Sequence, residues 1–300
     1  MLGCSRSAVW KKIALIRQMP GLEVDSVTGR GYRLREPLEL LEQQRILAAL
    51  PAQQREKLDA CHVLGSVVST NALALQHLPA RERGIAWFAE HQTAGRGRRG
   101  RSWFSPFGRN IYFSLAWQFN MSLAQVSGLS IATGAVLADV LHAHGLRDHG
   151  LKWPNDLVWN KRKLGGILLE VQGETEGPAT VVIGIGINLQ LDDRLQQEID
   201  QPAACLREAG LTPGRNQLAA DLLGSTVEMC QVFSRQGLQP FVDRWRKFDV
   251  YSGRMVKLIG PSQVIAGTNL GVAGDGGLRL KIGGQVQTFY AGELSLRDET

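Results

Sequence analysis

The stretch of sequence that decides the fold reads Gly95-Arg96-Gly97-Arg98-Arg99-Gly100-Arg101-Ser102-Trp103. Its first six residues match the G-x-G-x-x-G pattern of dinucleotide-binding loops, and a predicted strand, residues 85–91, precedes them. However, the residues that follow do not open a helix, and no acidic residue stands about 20 positions further on. Dinucleotide-binding loops also use backbone N–H groups at a helix terminus rather than arginines. The context therefore argues against a Rossmann fold.

The same stretch places four arginines within six consecutive residues, interleaved with glycines. This composition is typical of a mobile loop that wraps an anion with fork-shaped cations, although a solvated basic face is the alternative. When a carboxylate lies about 4 Å from a phosphate oxygen, each pair of like charges repels by roughly 4 kcal/mol at an effective dielectric of 20. Joining the two groups therefore requires several cations, and a closed loop would keep water from the product. The loop predicts acyl-adenylate formation.

Length and composition limit the class of protein. The 300 residues suggest about two domains, and 44% hydrophobic with 21% charged residues is ordinary for a soluble globular chain. These values exclude a disordered chain, a collagen-like repeat and a coiled coil. No apolar run reaches the roughly 18 residues of a membrane span, and the N-terminus has no apolar signal region. The scattered cysteines Cys4, Cys61, Cys205 and Cys230 form no CxxC motif, so we expect a cytoplasmic protein without disulfides.

The N-terminal residues predict a small DNA-binding unit. A helix is expected over residues 5–19, with Ser5 as its N-cap and a basic face formed by Arg6, Lys11, Lys12 and Arg17. A glycine-tipped hairpin is expected within residues 22–34. Helix and hairpin look like the recognition helix and wing of a winged helix-turn-helix, with a solvated helix face as the alternative. No preceding helices are present, so either Met1 is an internal start or DNA binding has been lost. We expect weak operator binding by this chain.

The remaining sequence divides into two further units. With the N-terminal unit at residues 1–37, we expect a catalytic unit at residues 38–250 and a C-terminal unit at residues 251–300. Strands are predicted over residues 61–68, 85–91, 110–118, 164–171 and 180–189. Helices are predicted over residues 38–50, 71–78, 123–144, 217–233 and 239–248. Beyond residue 251 the chain holds ten glycines and short alternating runs, which predict a small β-barrel.

Beyond the loop, several motifs carry a family resemblance. The loop over residues 95–103 resembles the signature loop of the biotin protein ligases. The likeness continues in residues 69–71 (STN), Gln92, residues 152–156 (KWPND), 162–168 (RKLGGIL) and 184–188 (GIGIN). Their order and spacing fit, and the similarity covers essentially the whole chain. The chain is most similar to the bacterial bifunctional type, a biotin–carboxyl-carrier-protein ligase that is also the biotin operon repressor.

The resemblance implies an α+β fold and a two-step reaction. The fold would be a mixed-sheet catalytic body like that of the class II synthetases, with an SH3-like β-barrel at the C-terminus. The enzyme would activate biotin with ATP and Mg²⁺ to biotinyl-5'-AMP. It would then transfer biotin to a lysine of the biotin carboxyl carrier protein of acetyl-CoA carboxylase. In bacterial relatives the exposed edge of the sheet pairs with a second copy or with the carrier, so a homodimer is also implied.

The resemblance also implies roles for individual residues. Candidate biotin-binding residues are Ser69, Thr70, Asn71, Gln92, Arg96, Gly97, Arg98, Trp103 and Lys163. Candidate ATP-binding residues are Arg98, Arg101, Asn155, Asp156, Lys163 and Asn188. Arg98, Lys163 and Asp156 are the candidate catalytic residues, with Asp156 also a candidate Mg²⁺ ligand and a hypothetical base for the acceptor lysine. Taken alone, residues 69–71 are more typical of a helix cap, and the alternative for residues 154–156 is a turn.

Other functions have weaker support. The sequence contains no HExxH, no GxSxG and no Walker A motif, which argues against a metallohydrolase, a serine hydrolase and a P-loop enzyme. Two alternatives remain open at this point: a lipoate–protein ligase, and a DNA-binding biotin sensor without ligase activity. Residues 199–206 (IDQPAACL) lack the aromatic residue that some relatives carry there, so what covers the adenine is open.

Overall fold

The computed structural model describes residues 5–173, 177–199, 201–260, 263–290 and 295–298. Cys4 and Asp200 lie outside these ranges. The first unit consists of α1 (Arg6–Gln18), β1 (Val24–Val27) and β2 (Gly31–Leu34), with β1 and β2 antiparallel. The Ser5 hydroxyl accepts a hydrogen bond from the Ala8 N–H, so the predicted cap, helix and hairpin are confirmed.

The central unit is built around one large sheet. Its elements are α2 (Gln43–Ala49), α3 (Ala52–Arg55), β3 (Leu58–Val67), α4 (Thr70–Ala74), β4 (Gly84–Gln92), β5 (Ile111–Phe119), α5 (Leu129–Ala143), β6 (His149–Lys152), β7 (Asp156–Trp159), β8 (Arg162–Gln172), β9 (Ala179–Ile187), α6 (Asp193–Gln197), α7 (Arg215–Gln236) and α8 (Gln239–Phe248). The strand order is β3-β4-β5-β9-β8-β7-β6. Strands β3 and β4 are parallel and all other neighbours antiparallel, so the mixed sheet is confirmed.

The two faces of this sheet have different roles. Helices α5 and α7 pack on one face, where Phe113, Leu115, Ile183 and Ile185 belong to the main core. The short helix α4 lies on the opposite face against β4, β5 and β9. Because side chains alternate along a strand, the glycines at 184 and 186 point to the α4 face. That face is therefore open enough to hold a cleft.

The last unit is a second sheet. Its strands are β10 (Met255–Ile259), β11 (Val264–Val272), β12 (Leu278–Ile282), β13 (Gln285–Phe289) and β14 (Ser295–Asp298). They are antiparallel in the order β13-β12-β11-β10-β14, which confirms the expected C-terminal β unit. No described helix is long and apolar enough to cross a membrane.

The helix predicted over residues 38–50 is wrong in its first half, since α2 begins only at Gln43. Residues 39–42 lie outside any helix and are held by bonds to distant elements instead. The Glu39 carboxylate accepts from the Arg215 N–H at 2.6 Å, and the Glu42 N–H donates to the Asn216 side chain at 2.8 Å. These contacts cap α7, and a local pattern cannot anticipate them.

Two other predicted helices are shorter than expected. Helix α5 starts at Leu129 rather than at residue 123, because Gly128 precedes it with φ +84°, outside the right-handed helical region. Helix α4 ends at Ala74 rather than at residue 78. The strand predictions were closer: all five occur, with ends shifted by one to three residues. The described cysteines Cys61, Cys205 and Cys230 are buried and free.

Candidate functional site

A cleft lies over the α4 face of the large sheet, with an empty volume of about 930 Å³ including its mouth. All but one of the residues selected from the sequence line it: Ser69, Thr70, Asn71, Gln92, Arg96, Gly97, Arg98, Arg101, Trp103, Asn155, Asp156 and Lys163. Folding thus brings together motifs that are far apart in the chain. The exception is Asn188.

One end of the cleft is formed by uncharged polar side chains at the start of α4. The Ser69 hydroxyl accepts from the Ala72 N–H at 3.5 Å, so the helix-cap interpretation holds as well. The Thr70 N–H and hydroxyl both donate to Gln92 Oε1, at 2.9 and 3.2 Å. Gln92 Nε2 in turn donates to the Ser105 hydroxyl at 3.0 Å. These side chains are fixed by one another in defined orientations.

Asn71 is held from three sides at the same end. Its Nδ2 donates to the Leu168 carbonyl at 3.3 Å and to Glu170 Oε2 at 2.7 Å. The Ser114 hydroxyl lies 2.5 Å from Asn71 Oδ1. Gly184 lies directly below, and a Cβ there would be 2.1 Å from Asn71 Oδ1. The first glycine of the 184–188 motif is therefore required by Asn71.

The arginine–glycine loop forms a tight lobe rather than a helix start, as the sequence context predicted. Arg96 pairs with Ser102 in an isolated β-bridge, and the Gly97 N–H donates to the Arg101 carbonyl at 2.7 Å. At the tip, Arg99 has φ +58° and Gly100 φ +69°, which reverse the chain. The lobe carries its guanidinium groups over the cleft.

Trp103 lies across the middle of the cleft on two glycines. A Cβ at Gly186 would be 2.6 Å from the indole, and a Cβ at Gly166 would be 3.2 Å from it. Gly166 and Gly186 are direct neighbours on β8 and β9. The Trp103 Nε1–H is buried and has no hydrogen-bond partner among the described residues. The two glycines therefore provide a flat floor for an aromatic ring.

The other end of the cleft is cationic. Arg98 Nη1 donates to Asn155 Oδ1 at 3.2 Å. Lys163 Nζ lies 2.7 Å from Asp156 Oδ1 and 5.5 Å from the centre of the Trp103 indole. Burial is the main cause that lowers the pKa of the Arg98 guanidinium from its usual value, with Arg99 adding repulsion. Desolvated cations of this kind bind anions more strongly than exposed ones do.

Two further cations line this end, and neither was selected from the sequence. Burial lowers the pKa of Lys152 to about 8, and the positive charge of Arg297 contributes to the shift. Arg297 comes from β14, so the C-terminal sheet supplies part of the cleft wall. Lys152 is the first residue of the KWPND motif, so the sequence motif could have identified it as a site residue. Arg297 has no local sequence signal, because only the packing of two units brings it here.

The order of contacts along β8 gives the cleft a direction. Leu168 lies beside Asn71, Gly166 lies under Trp103, and Lys163 follows at the cationic end. Alternate residues on a strand are about 6.6 Å apart, so these positions are spread over more than 10 Å. The cleft therefore suits an elongated ligand with an uncharged polar end and an anionic end.

Asn188 is placed outside the cleft. Its buried Nδ2 donates to the backbone carbonyls of Lys163 at 3.4 Å and Ala204 at 3.2 Å. The side chain thus braces the strand that carries Lys163. Asn188 therefore contacts one candidate ATP-binding residue, Lys163, through the backbone of that residue, and its own side chain does not line the cleft.

Comparison with known proteins assigns the family. The model of the biotin/lipoate A/B protein ligase family matches residues 64–188, that of an HTH domain residues 1–33, and that of the biotin protein ligase C-terminal domain residues 251–297. The bifunctional ligase/repressor BirA of Salmonella typhimurium is 41% identical over 99% of this chain and 90% of its own length. The chain belongs to the biotin protein ligase family.

Other relatives of this biotin protein ligase agree in sequence and in structure. The biotin–[acetyl-CoA-carboxylase] ligase of Mycobacterium tuberculosis is 34% identical over 87% of this chain and 97% of its own. A biotin protein ligase from Aquifex aeolicus, solved in complex with biotin and ATP, aligns with a TM-score of 0.67 and 27% identity. That alignment covers 80% of this chain and 99% of the other. The full-length likeness, including the C-terminal unit, argues against the lipoate-ligase alternative.

Proposed function

We propose that this chain activates biotin with ATP to biotinyl-5'-AMP and transfers biotin to a lysine of the biotin carboxyl carrier protein. The observation that carries the proposal is the direction of the cleft, with fixed neutral hydrogen-bonding groups at one end and clustered cations at the other. Biotin has the matching shape, because its ureido ring is neutral and its carboxylate lies at the end of a flexible chain. Among described residues, the Thr70–Gln92 network supports a ureido site.

The charge balance of the cationic end supports reaction between a carboxylate and a phosphate. The cations that line this end are Arg98, Arg99, Arg101, Lys152, Lys163 and Arg297, whereas the Arg96 guanidinium pairs with Glu170 at the other end. Among the described lining residues, Asp156 is the only carboxylate, and it is paired with Lys163. Arg98, Arg101 and Lys163 would offset the repulsion between the biotin carboxylate and the α-phosphate. Trp103 would cover the mixed anhydride and exclude water from it.

Mg²⁺ fits this site only as a companion of ATP. No cluster of three acidic, histidine or cysteine ligands occurs among the described residues. Asn155 and Asp156 would each contribute an oxygen, which is enough for Mg²⁺ that keeps water and phosphate oxygens as its other ligands. When bound, the ion would neutralise part of the triphosphate charge. The protein's own task is then to orient both substrates with Arg98 and Lys163.

Asp156 is also a hypothetical base for the acceptor lysine. Its Oδ1 is occupied by the Lys163 ammonium, which would restrict that role to the other oxygen. Transfer from preformed biotinyl-5'-AMP tests the hypothesis. We expect Asp156→Asn to slow the transfer step, and an undiminished transfer rate would remove Asp156 as the base.

The proposed activity is tested by biotin-dependent exchange between ATP and pyrophosphate. We expect exchange with biotin but not with lipoate or octanoate, and its loss in Arg98→Ala. Arg81→Ala is the matched control, because Arg81 pairs with Asp59 on the exposed surface away from the cleft. Exchange with lipoate alone would assign the sister activity. Tight biotin binding without any exchange would instead support a sensor without ligase activity.

The N-terminal unit supports a second role in binding operator DNA. Helix α1 has no buried residue and carries Arg6, Lys11, Lys12 and Arg17, followed by the β1–β2 wing. Titration of a biotin-operon duplex at physiological salt tests this role, and binding no tighter than to a random duplex would contradict it. The homodimer and the cytoplasmic location also stay predictions, of which sedimentation of the biotin-bound protein tests the first.

A further inference from the structure

Glu170 lies at the outer edge of the uncharged end of the cleft, beyond every motif selected from the sequence. It stands on β8, two residues after Leu168 and therefore on the same face of the sheet. We infer that Glu170 is the positioning residue that fastens the arginine–glycine loop across the biotin end of the cleft. The inference rests on the proposed function only in naming biotin as the ligand. The contacts of Glu170 with the loop do not depend on that function.

The carboxylate of Glu170 binds two candidate biotin-binding residues at once. Its Oε1 lies 3.2 Å from Arg96 Nη1, and its Oε2 lies 3.3 Å from Arg96 Nη2. The same Oε2 accepts the 2.7 Å bond from Asn71 Nδ2. Arg96 is thus held by a two-pronged contact of the kind that fixes direction as well as distance. One side chain thereby joins the loop, helix α4 and strand β8.

Besides Glu170, the loop touches the sheet through Trp103, whose indole lies on Gly166 and Gly186 in the middle of the cleft. The Arg96–Ser102 bridge and the bond from the Gly97 N–H to the Arg101 carbonyl shape the lobe without attaching it to the sheet. Arg98 contacts Asn155 at the cationic end. Glu170 and Asn155 therefore hold the lobe from opposite sides of the cleft. Releasing Glu170 should free the biotin end and leave the phosphate end attached.

The side chains of Glu170 and Arg96 are 25% and 44% exposed, so their attraction is partly screened. Pairs at such sites change an equilibrium by about two- to fivefold. Glu170→Gln keeps an oxygen that accepts from Asn71 but removes the charge that holds Arg96. We therefore expect Glu170→Gln to raise the KM for biotin by about two- to fivefold. The KM for ATP should stay unchanged, a split that a general loss of folding would not produce.

The experiment uses the full chain with Glu170→Gln, Arg96→Gln and the double variant. Biotin and ATP KM values come from pyrophosphate exchange, and the rate of tryptic cleavage at Arg98 and Arg99 reports loop opening without any ligand. Asp139→Asn is the matched control, because it removes an ion pair of similar exposure with Arg244 away from the cleft. Glu170→Asp keeps the charge and should be less affected than Glu170→Gln.

We expect faster cleavage and a higher biotin KM in Glu170→Gln, with little further change when Arg96→Gln is added. The inference is overturned if Glu170→Gln behaves like Asp139→Asn in both readouts, or if the effects of the two single variants multiply. If the wild-type chain shows no biotin-dependent exchange, the proposed function fails. The tryptic cleavage rates then still decide whether Glu170 holds the loop.

Discussion

Among single residues, we expect the charged Lys152 side chain to destabilise the folded chain while it contributes a cation to the ATP end of the cleft. Burial lowers its pKa to about 8 from 10.5, so the folded chain holds this proton less tightly than the unfolded chain. Charged Lys152 therefore destabilises the fold below pH 8, and the effect fades as the pH rises from 8 to 10.5. We expect Lys152→Met to raise the free energy of unfolding at pH 7 by about 1–3 kcal/mol. Urea unfolding at pH 7 and pH 10 measures the difference.

The same substitution should weaken ATP binding, because it removes a desolvated ammonium beside Arg297. We expect the KM for ATP to rise by about tenfold or more, since hydrogen bonds to charged groups are worth about 1.5–3 kcal/mol. Lys247→Met is the matched control, since Lys247 lies exposed on α8. A variant that is no more stable than the wild type at pH 7 would show that Lys152 is well solvated in the folded chain.

Gly186 is a second residue at which a substitution should change ligand binding, because the Trp103 indole lies directly against it. A Cβ at this position would be 2.6 Å from the Trp103 indole, which would have to move. We expect Gly186→Ala to raise the KM for biotin by about tenfold, on the order of 1.4 kcal/mol. Gly65→Ala is the control, because that strand glycine has no atom within 4 Å of an added Cβ and no left-handed φ. An unchanged biotin KM in Gly186→Ala would mean that Trp103 does not contact the ligand.

At the level of elements, the sequence predicts the strands and helices that a local residue pattern determines. It does not predict segments whose structure depends on contacts with residues far away in the chain. Strands β4, β5 and β9 were predicted because each is a near-continuous apolar run buried in the sheet. The motifs likewise predicted most of the cleft. Glu170 was missed because its role depends on Arg96, 74 residues away along the chain. Residues 38–42 were assigned wrongly for the same reason, since Glu39 binds the start of α7.

The linker between the first two units holds the N-terminal unit against the body through Glu36. The Glu36 carboxylate accepts from Gln190 and from Arg109, whose Nε donates to the Gly21 carbonyl at 2.7 Å. Arg109 is buried, so these bonds dock the N-terminal unit on the body. The bond from Gln190, followed by those from Arg109 and Arg207, lowers the pKa of Glu36 to about 2.

Because the pKa of Glu36 is lower in the docked chain than its usual 4.5, its stabilisation is complete above pH 4.5. It is lost as the pH falls toward 2. We expect Glu36→Gln to speed hydrogen exchange over residues 20–36 at pH 7, with the exchange of β4 and β5 unchanged. Glu228→Gln, an exposed change on α7, is the control. Equal exchange in both variants would show that Glu36 does not hold the N-terminal unit in place.

At the scale of the whole molecule, the cleft depends on how the C-terminal sheet sits on the body. Arg297 on β14 reaches the cationic end only because β10 and β14 are paired beside the catalytic sheet. The junction is short: the Val250 N–H donates to the Leu151 carbonyl at 3.2 Å, which extends β6 by a bridge. Gly150 permits this approach, because a Cβ there would be 2.3 Å from Val250.

Asn269 is the buried link across this junction. Its Nδ2 donates to Asp249 Oδ2 at 3.0 Å, and its Oδ1 accepts from the Gly271 N–H at 2.8 Å. Asp249 is itself buried enough that its pKa is raised from its usual value. Asn269→Leu would leave this carboxylate without its side-chain donor. We expect the free energy of unfolding at pH 7 to fall by about 1–3 kcal/mol.

The loss in Asn269→Leu should be smaller at acidic pH, because protonated Asp249 no longer needs the donor. The variant should also raise the KM for ATP more than the KM for biotin, since it loosens the sheet that carries Arg297. Arg297→Gln separates the two effects: it should raise the ATP KM without lowering stability. If Asn269→Leu is destabilised but keeps the wild-type ATP KM, then the strand pairing of residues 249–250 alone positions Arg297, and the Asn269–Asp249 bond contributes only to folding.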